Sequence, residues 1–246
     1  MIAECVTVEP LRHVTVVIPA RDEAITLPRT LHSIDDALSE LPRGVTGECI
    51  VVLDSCRDDS ARVTAEALAR SRWASRVVET DVACAGAARA LGTRAVFDRL
   101  VHEPRHVWLA NTDADTVVPA DWLRVQLDLA NQGADAVAGI VELDIDADER
   151  LRRAFGAAYT LGRDGTHRHV HGANLGVRAN VYGAAGGWHH LHSGEDHDLW
   201  KRVQVAGTCV STTASVVRTS GRLAGRAPCG FADDLTALVE DGLTVA

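Results

Sequence analysis

Val107-Trp-Leu-Ala-Asn-Thr-Asp-Ala-Asp115 is a short apolar run that ends in two carboxylates. Three other short apolar runs, at 14–18, 50–53 and 77–78, precede Pro19-Ala-Arg-Asp-Glu23, Asp54-Ser-Cys-Arg-Asp58 and Ala83-Cys-Ala-Gly86. Runs of this kind separated by helix-length stretches predict parallel strands joined by helices. Because ligands bind beyond the carboxyl ends of such strands, we expect the four motifs to meet at one edge of the sheet. This convergence predicts an enzyme with a nucleotide-type ligand.

Composition excludes several classes of protein. The chain has 246 residues, of which 46% are hydrophobic, enough for the core of one large α/β domain. A net charge of −9 argues against a general nucleic-acid binder, which usually carries a basic surface. The sequence shows neither a long apolar membrane span nor the basic start and apolar stretch of a signal peptide. Six cysteines without a CxxC pair fit reduced thiols, so we expect a cytoplasmic protein. The oligomeric state is not predicted.

Periodicity divides the chain into alternating elements. Leucines and an isoleucine at spacings of three and four predict an amphipathic helix over 24–41. Further helices are predicted over 58–72, 86–100, 119–131 (with Pro119 in the first turn), from about 150 to 161, 195–206 and 231–240. Strands are predicted at 106–110, 135–143 and 208–217, and loops at 43–47 and 218–230. We therefore expect an α/β fold with a mostly parallel central sheet flanked by helices. Residues 13–143 would form a nucleotide-binding half, and 144–246 an acceptor-side half.

Asp113 and Asp115 are two residues apart at a predicted strand end, so in extended backbone they point the same way. Carboxylate oxygens suit a hard cation such as Mg²⁺ or Mn²⁺. Such an ion stabilises the charge that develops as a diphosphate leaves. The alternative interpretation is a surface turn, where Asp is common.

Two further clusters point to ligands. Arg218, Arg222 and Arg226 recur every four residues in a glycine-containing loop, and guanidinium groups hold diphosphates well, although a solvated charged surface is the alternative. Histidines at 167, 169, 171, 189, 190, 192 and 197 are the type of ligand that Zn²⁺ prefers, which supports a zinc-dependent hydrolase as a rival function. The chain has no HExxH motif, so we expect one or two of these histidines to line the acceptor pocket or touch the metal, with His171 and His197 first.

In these motifs the chain resembles a family 2 glycosyltransferase with the Rossmann-like GT-A fold, over residues 14–207. Val16-Val-Ile-Pro-Ala-Arg-Asp-Glu23 resembles the opening strand and its acidic turn, and Asp54 with Asp58 resembles the motif that contacts the base and ribose of the donor. Asp113-Ala-Asp115 resembles the metal-binding DxD motif. The acceptor-side segments of the family are similar to Gly172-Ala-Asn174, Arg178 and Gly186-Gly-Trp188. Glu195-Asp196 resembles the late ED motif, whose Asp is the catalytic base in inverting members.

The resemblance implies a single GT-A domain that moves a sugar from a nucleoside diphosphate donor to a small soluble acceptor. It implies Mn²⁺ or Mg²⁺ as the cofactor, and we expect inversion at the anomeric carbon. We expect catalysis by Asp196 with Glu195, and metal binding by Asp113, Asp115 and His197. Nucleotide contacts are expected from Pro19, Arg21, Asp22, Glu23, Asp54, Gly86, Arg89, Asp113, Arg222 and Arg226, and acceptor contacts from His171, Asn174 and Trp188.

The chain departs from the family pattern in two places. Leu53 replaces the first of two consecutive acids, and Cys56 and Arg57 replace small hydroxyl residues, which affects base recognition. The QxxRW motif of processive polysaccharide synthases is absent, so we expect a single transfer.

Other classes lack their motifs. There is no GxGxxG for a dinucleotide and no GxxxxGK[ST] for a P-loop, and the first turn is acidic where a sugar-phosphate nucleotidyltransferase would carry glycine and lysine. A non-catalytic nucleotide-sugar binding protein remains an alternative. The acids at the start of the helix at 195 also have a purely structural explanation, since they stabilise the helix dipole.

Overall fold

Eight strands form one sheet in the computed structural model, within the part of the chain that it describes (residues 9–158, 161–162, 164–223, 225 and 231–243). They are β1 (His13–Ala20), β2 (Thr46–Asp54), β3 (Ala74–Thr80), β4 (Val107–Asn111), β5 (Thr116–Val117), β6 (Ala136–Leu143), β7 (Leu175–Arg178) and β8 (Cys209–Thr219). Their order is β3-β2-β1-β4-β7-β6-β8-β5. The pairs β3–β2, β2–β1, β1–β4 and β6–β8 are parallel. β7 runs antiparallel to both β4 and β6, and β5 runs antiparallel to β8. The predicted α/β fold with a mostly parallel sheet is confirmed.

Helices cover both faces of this sheet. They are α1 (Leu27–Ser39), α2 (Ser60–Leu68), α3 (Ala85–Phe97), α4 (Trp122–Asn131), α5 (Glu149–Ala158), α6 (Ala179–Ala184), α7 (Glu195–Ala206) and α8 (Phe231–Leu243). Alternate strand residues point to opposite faces, so Val16 and Val51 pack in a core cluster with α1 and α4, while Ile50 and Val52 pack with α3, α6 and α7. No helix in the described ranges is long and apolar enough to cross a membrane.

Element boundaries differ from the sequence prediction where turns precede helices. The first helix begins at Leu27, because the amide of Leu27 donates to the carbonyl of Glu23 and closes a turn before it. The helix predicted to begin at Pro119 begins at Trp122, whose amide donates to the carbonyl of Pro119. β7 and α6 were not predicted, since β7 has only four residues in a glycine-rich segment and is set by pairing with β4 and β6. Part of the segment predicted to end the helix at 161 lies outside the described residues.

Glu48 on β2 is the charged centre of the sheet's amino-terminal end. It accepts a hydrogen bond from Thr15 Oγ1 at 3.0 Å, its Oε2 lies 3.1 Å from Arg76 Nη2, and its Oε1 lies 3.5 Å from His13 Nε2. Burial alone would raise the pKa of Glu48, but His13 and Arg76, with Thr15, lower that pKa to about 2. The carboxylate is therefore held ionised by its partners.

Glu48→Gln is expected to lower the free energy of unfolding at pH 7 by roughly 1–3 kcal/mol. Because the folded pKa is depressed, this contribution is complete above the ordinary Glu pKa and is lost as the pH falls towards the folded value of about 2. Denaturant unfolding at several pH values measures it, with the exposed Glu66→Gln as a control. A deficit that is absent at pH 7, or that stays constant down to pH 2, would contradict the assignment.

Candidate active site

The carboxyl ends of β1, β2 and β4 open on a cleft with a volume of about 330 Å³. Residues that follow β3 and β8 and the start of α7 complete its walls. Three arginines line it (Arg21, Arg89 and Arg222), against six carboxylates (Glu23, Asp54, Asp113, Asp115, Glu195 and Asp196). This excess of negative charge attracts cations, and the all-oxygen donor set suits a hard divalent ion. The structure thus brings side chains from all four strand-end segments to one edge of the sheet.

Asp54, the last residue of β2, fastens that strand to the segment after β3. It is buried, and its Oδ1 and Oδ2 accept hydrogen bonds from the amides of Ala83 at 2.8 Å and Cys84 at 2.9 Å. Ala83 has a φ of 50°, a left-handed conformation that a residue with a side chain adopts only when its surroundings impose it. Asp54 therefore shapes the cleft wall as well as lining it.

The Asp22 carboxylate does not line the cleft, although its neighbours Arg21 and Glu23 do. Its Oδ1 accepts hydrogen bonds from the amides of Arg57 at 2.6 Å and Asp58 at 3.2 Å, and Asp58 in turn accepts one from the amide of Ala24 at 2.9 Å. These contacts join the loops that follow β1 and β2. In this structure Asp22 thus holds those loops together, and its nucleotide contact stays a prediction.

Asp113 and Asp115 lie in the turn between β4 and β5 and meet different partners. Asp113 forms an ion pair with Arg89, whereas Asp115 accepts a hydrogen bond from Thr219 Oγ1 at 3.3 Å and lies 3.1 Å from Arg222. Burial raises the pKa of Asp115 to about 7, opposed by Arg222 and reinforced by the carboxylates of Asp113 and Glu23. A buried carboxylate crowded by others is the environment that a divalent cation relieves, so these residues fit a metal ion.

Of the three arginines spaced every four residues, the structure places one in the cleft. Arg222 binds both oxygens of the Glu23 carboxylate. Arg218 is not among the cleft-lining residues; its side chain is 64% exposed and lies 3.6 Å from Glu142. Arg226, predicted to contact the nucleotide, lies outside the described residues.

Arg89 on α3 connects Asp113 to the first turn of α7. Its buried guanidinium donates to Asp113 and to Glu195, and it lies over the ring of Trp188 at 5.3 Å. Burial alone would lower the pKa of Arg89, but the surrounding carboxylates raise it overall, so the charge is permanent. Trp188 supports this guanidinium from behind and does not line the cleft. Glu195, one of the two predicted catalytic residues, is therefore engaged as a counter-charge.

Two glycines permit these close approaches. A Cβ added at Gly86, in the first turn of α3, would lie 2.4 Å from the carbonyl oxygen of His189, so glycine is needed there for packing. Gly86 does not line the cleft. A Cβ added at Gly172 would lie 2.5 Å from Nη2 of Arg89.

Gly172→Ala is expected to destabilise the fold by about 1–3 kcal/mol, because the clashing guanidinium is held by two carboxylates and a ring and cannot swing aside freely. Thermal or denaturant unfolding measures the effect. Gly183 in α6 has open space where a Cβ would be added, so Gly183→Ala is the matched control and should be neutral or stabilising. Equal stabilities for the two variants would show that Arg89 is not fixed against Gly172.

Asp196 lines the cleft from the first turn of α7. Its Oδ2 accepts a hydrogen bond from the amide of Gly172 at 3.0 Å, and its Oδ1 accepts one from the amide of His197 at 2.7 Å. Neither bond comes from a cationic side chain. A carboxylate held by backbone amides in an open cleft is suited to accept a proton from a bound hydroxyl.

His167, His169 and His171 lie in irregular backbone and not in a strand, yet their rings follow one another at 6.1 Å and 6.4 Å. His171 reaches the cleft and meets the ring of Phe231 edge to face. Burial lowers the pKa of His171 to about 3, with the neighbouring histidines adding to the effect, so its imidazole is neutral. His192 and the exposed His197 also line the cleft.

A zinc site built from these histidines finds no support in the described ranges. In those ranges, the His, Cys, Asp or Glu side chains that lie close enough in a group of three to share a metal ion are Asp22, Cys56 and Asp58. This exposed loop cluster is accounted for by the hydrogen bonds that join the two loops.

Asn174 lies beneath the cleft and not in it. The fully buried amide accepts a hydrogen bond from Trp122 Nε1 at 2.9 Å and donates to the carbonyls of Ile140 and Ser215 at 2.9 Å and 3.1 Å. It fills the irregularity where β6 and β8 shift register. Asn174 therefore has a structural role here, and its acceptor contact stays a prediction without support from the cleft lining. Cys84, Thr219 and Phe231 do line the cleft but were not predicted; Thr219 lies two residues beyond the predicted end of its strand.

Comparisons with known proteins agree with this geometry. The sequence model described as Glycosyl transferase family 2 matches residues 15–189. No curated protein matches the chain.

Solved structures share the fold at low sequence identity. A mannosyltransferase, PcManGT from Pyrobaculum calidifontis, in complex with GDP-Man and Mn²⁺, is 20% identical with a TM-score of 0.64, over 89% of this chain and 59% of that one. S. aureus TarS 1-349 is 12% identical with a TM-score of 0.63, over 85% and 60%. GalNAc-T7 with UDP, GalNAc and Mn²⁺ is 15% identical with a TM-score of 0.65, over 94% and 48%. The chain thus spans about 60% or less of the length of these structures, and the likeness shows the GT-A fold.

Proposed function

Because the chain belongs to glycosyl transferase family 2, we propose that it transfers a sugar from a nucleoside diphosphate donor to a small acceptor, with a divalent metal ion and with inversion. The observation that carries this proposal is the cleft at the strand ends, where six carboxylates surround three arginines. Solved structures of the same fold support it, since PcManGT holds GDP-Man and Mn²⁺ and GalNAc-T7 holds UDP, GalNAc and Mn²⁺.

Asp113 and Asp115 would hold the metal ion, since they supply hard oxygen donors and Asp115 is a buried carboxylate crowded by Asp113 and Glu23. Bound there, a divalent ion supplies charge stabilisation for the departing diphosphate. Arg21 and Arg222 line the same cleft and provide guanidinium donors for phosphate oxygens. Pro19, Glu23 and Asp54 shape the wall against which the nucleoside would lie.

Asp196 would take the proton of the acceptor hydroxyl as that hydroxyl attacks the anomeric carbon. Its position on the cleft wall, with both oxygens hydrogen-bonded to backbone amides, fixes the orientation of the carboxylate. Around it lie His171, His192 and His197, whose imidazoles offer hydrogen bonds to further hydroxyl groups of the acceptor. His197 is exposed beside Asp196, and its imidazole could contact either the acceptor or the metal ion.

The proposal keeps the two halves of the chain distinct in role. Residues 13–143 would supply the metal contacts and most of the nucleotide contacts, and 144–246 the base, the acceptor contacts and Arg222 for the diphosphate. We place the enzyme in the cytoplasm, which is supported by free thiols at four described cysteines: Cys49, Cys56, Cys84 and Cys209. A single transfer, not polymer synthesis, is supported by the absence of the QxxRW motif.

A panel of nucleoside diphosphates tests the proposal. Thermal unfolding is measured with each nucleotide, with Mn²⁺ and with a chelator, followed by hydrolysis of the matching nucleotide-sugar. We expect at least one nucleotide to stabilise the protein only when Mn²⁺ is present, because ligand binding to the native state raises its melting temperature. Stabilisation by none of them, or equal stabilisation with the chelator, would remove the metal-dependent donor site.

A further inference from the structure

Arg222 lies between two carboxylates of the cleft, Glu23 and Asp115. Its Nη1 donates to Glu23 Oε2 at 2.8 Å, its Nη2 binds the other oxygen of the same carboxylate, and Nη2 also lies 3.1 Å from Asp115 Oδ2. The side chains of Glu23 and Asp115 are only 6% and 13% exposed. One guanidinium is therefore the counter-cation of two buried carboxylates, one of which belongs to the DxD motif.

A divalent ion and this guanidinium cannot share Asp115 without cost. An ion on the Asp115 carboxylate would lie beside a permanent positive charge that already contacts one of its oxygens. Like charges at such distances repel strongly in a partly buried site. The guanidinium must therefore leave Asp115 when the ion enters.

The backbone does not fix the Arg222 side chain through a helix or strand, because residues 220–223 belong to neither. The sheet ends at Thr219, whose pairing with Thr116 is independent of the arginine. A diphosphate offers the guanidinium the same paired oxygens that Glu23 offers now. Leaving the carboxylates for the donor would thus exchange one bidentate partner for another.

We propose that Arg222 is the resident cation of the metal site in the free protein and moves to the diphosphate when metal and donor bind. This inference rests on the proposed function. The metal ion alone then binds weakly, because it must displace Arg222 from Asp115. The ion and the diphosphate bind together more readily, because the ion replaces the positive charge and the diphosphate becomes the new partner of the guanidinium.

The proposal predicts effects of opposite sign for one substitution. Arg222→Gln should bind Mn²⁺ alone roughly tenfold more tightly than the native chain, since the competing charge is gone. The same variant should bind UDP or GDP, whichever the native chain binds, roughly tenfold more weakly in saturating Mn²⁺, since the diphosphate loses a charged donor. Calorimetric titration of Mn²⁺ alone, and then of each nucleotide with Mn²⁺, measures both.

Arg218→Gln is the matched control, because Arg218 lies in the same region but outside the cleft and should leave both affinities unchanged. Arg222→Lys keeps the charge without the paired donors, so it should retain weak Mn²⁺ binding and lose nucleotide affinity; it also serves if the Gln variant fails to fold. Equal Mn²⁺ affinities for Arg222→Gln and the native chain would overturn the resident-cation proposal alone. Absence of nucleotide binding to the native chain, with Mn²⁺ present, would overturn the proposed function and this inference together.

Discussion

Asp196→Asn is expected to lower kcat by about 10²–10⁴-fold, because the amide keeps the shape of the carboxylate but cannot accept the acceptor's proton. The amide oxygen can still accept the hydrogen bond from the amide of Gly172, whereas the NH2 group cannot accept the one that His197 donates to the other oxygen, so unfolding curves accompany the kinetics. Donor affinity with Mn²⁺ should change by no more than about twofold, since Asp196 acts on the acceptor side. Steady-state transfer kinetics and calorimetric donor titration measure the two effects.

Asp198→Asn is the control for that experiment. Asp198 lies in the same helical turn, so it shares any contribution to the helix dipole, but it pairs with Arg202 and His189 and does not line the cleft. If Asp196→Asn retains full turnover, the base assignment is wrong. If the native chain binds the donor yet shows no turnover, like the variant, the protein is a non-catalytic nucleotide-sugar binder.

Asp115→Asn is expected to weaken Mn²⁺-dependent nucleotide binding by roughly 100-fold or more, because it removes one of the two proposed charged metal ligands from a partly buried site. The neutral amide also removes one of the two carboxylates that Arg222 contacts, which leaves Glu23. Calorimetric titration of the nucleotide in Mn²⁺ measures the loss.

Asp121→Asn is the matched control, since Asp121 is exposed before α4 and pairs with Arg124 on the surface. Unfolding curves for both variants separate a binding defect from a folding defect. Nucleotide affinity that is preserved in Asp115→Asn, with Mn²⁺ still required, would move the metal site away from Asp115.

The edge of the sheet where the cleft lies could be predicted because the sequence signals for it are local. Apolar runs at 14–18, 50–53 and 107–110 are each long enough to mark a buried strand, and the acids that follow them are adjacent in the chain. Once the strands are parallel, geometry alone brings their carboxyl ends together. The fold and the identity of Asp54, Asp113 and Asp115 as cleft residues follow from that local pattern.

Partnerships between distant side chains were beyond local reasoning. Arg222 was predicted to meet a diphosphate, and that stays a prediction; the ion pair that it forms, just beyond the paired β5 and β8, with Glu23, 199 residues away in the chain, was not predicted. Asn174 was predicted from its motif to meet the acceptor, whereas the register shift between β6 and β8 leaves carbonyls that its buried amide satisfies. Pairing and register decide these roles, and neither is encoded in a short window of sequence.

Anomalous diffraction from crystals grown with Mn²⁺ and a nucleoside diphosphate locates the metal ion directly. The account predicts one strong peak in the cleft, within bonding distance of the carboxylates of Asp113 or Asp115, with the Arg222 side chain turned towards the phosphates. A peak at the loop cluster of Asp22, Cys56 and Asp58, or a nucleotide bound in the cleft with no metal beside it, would contradict it.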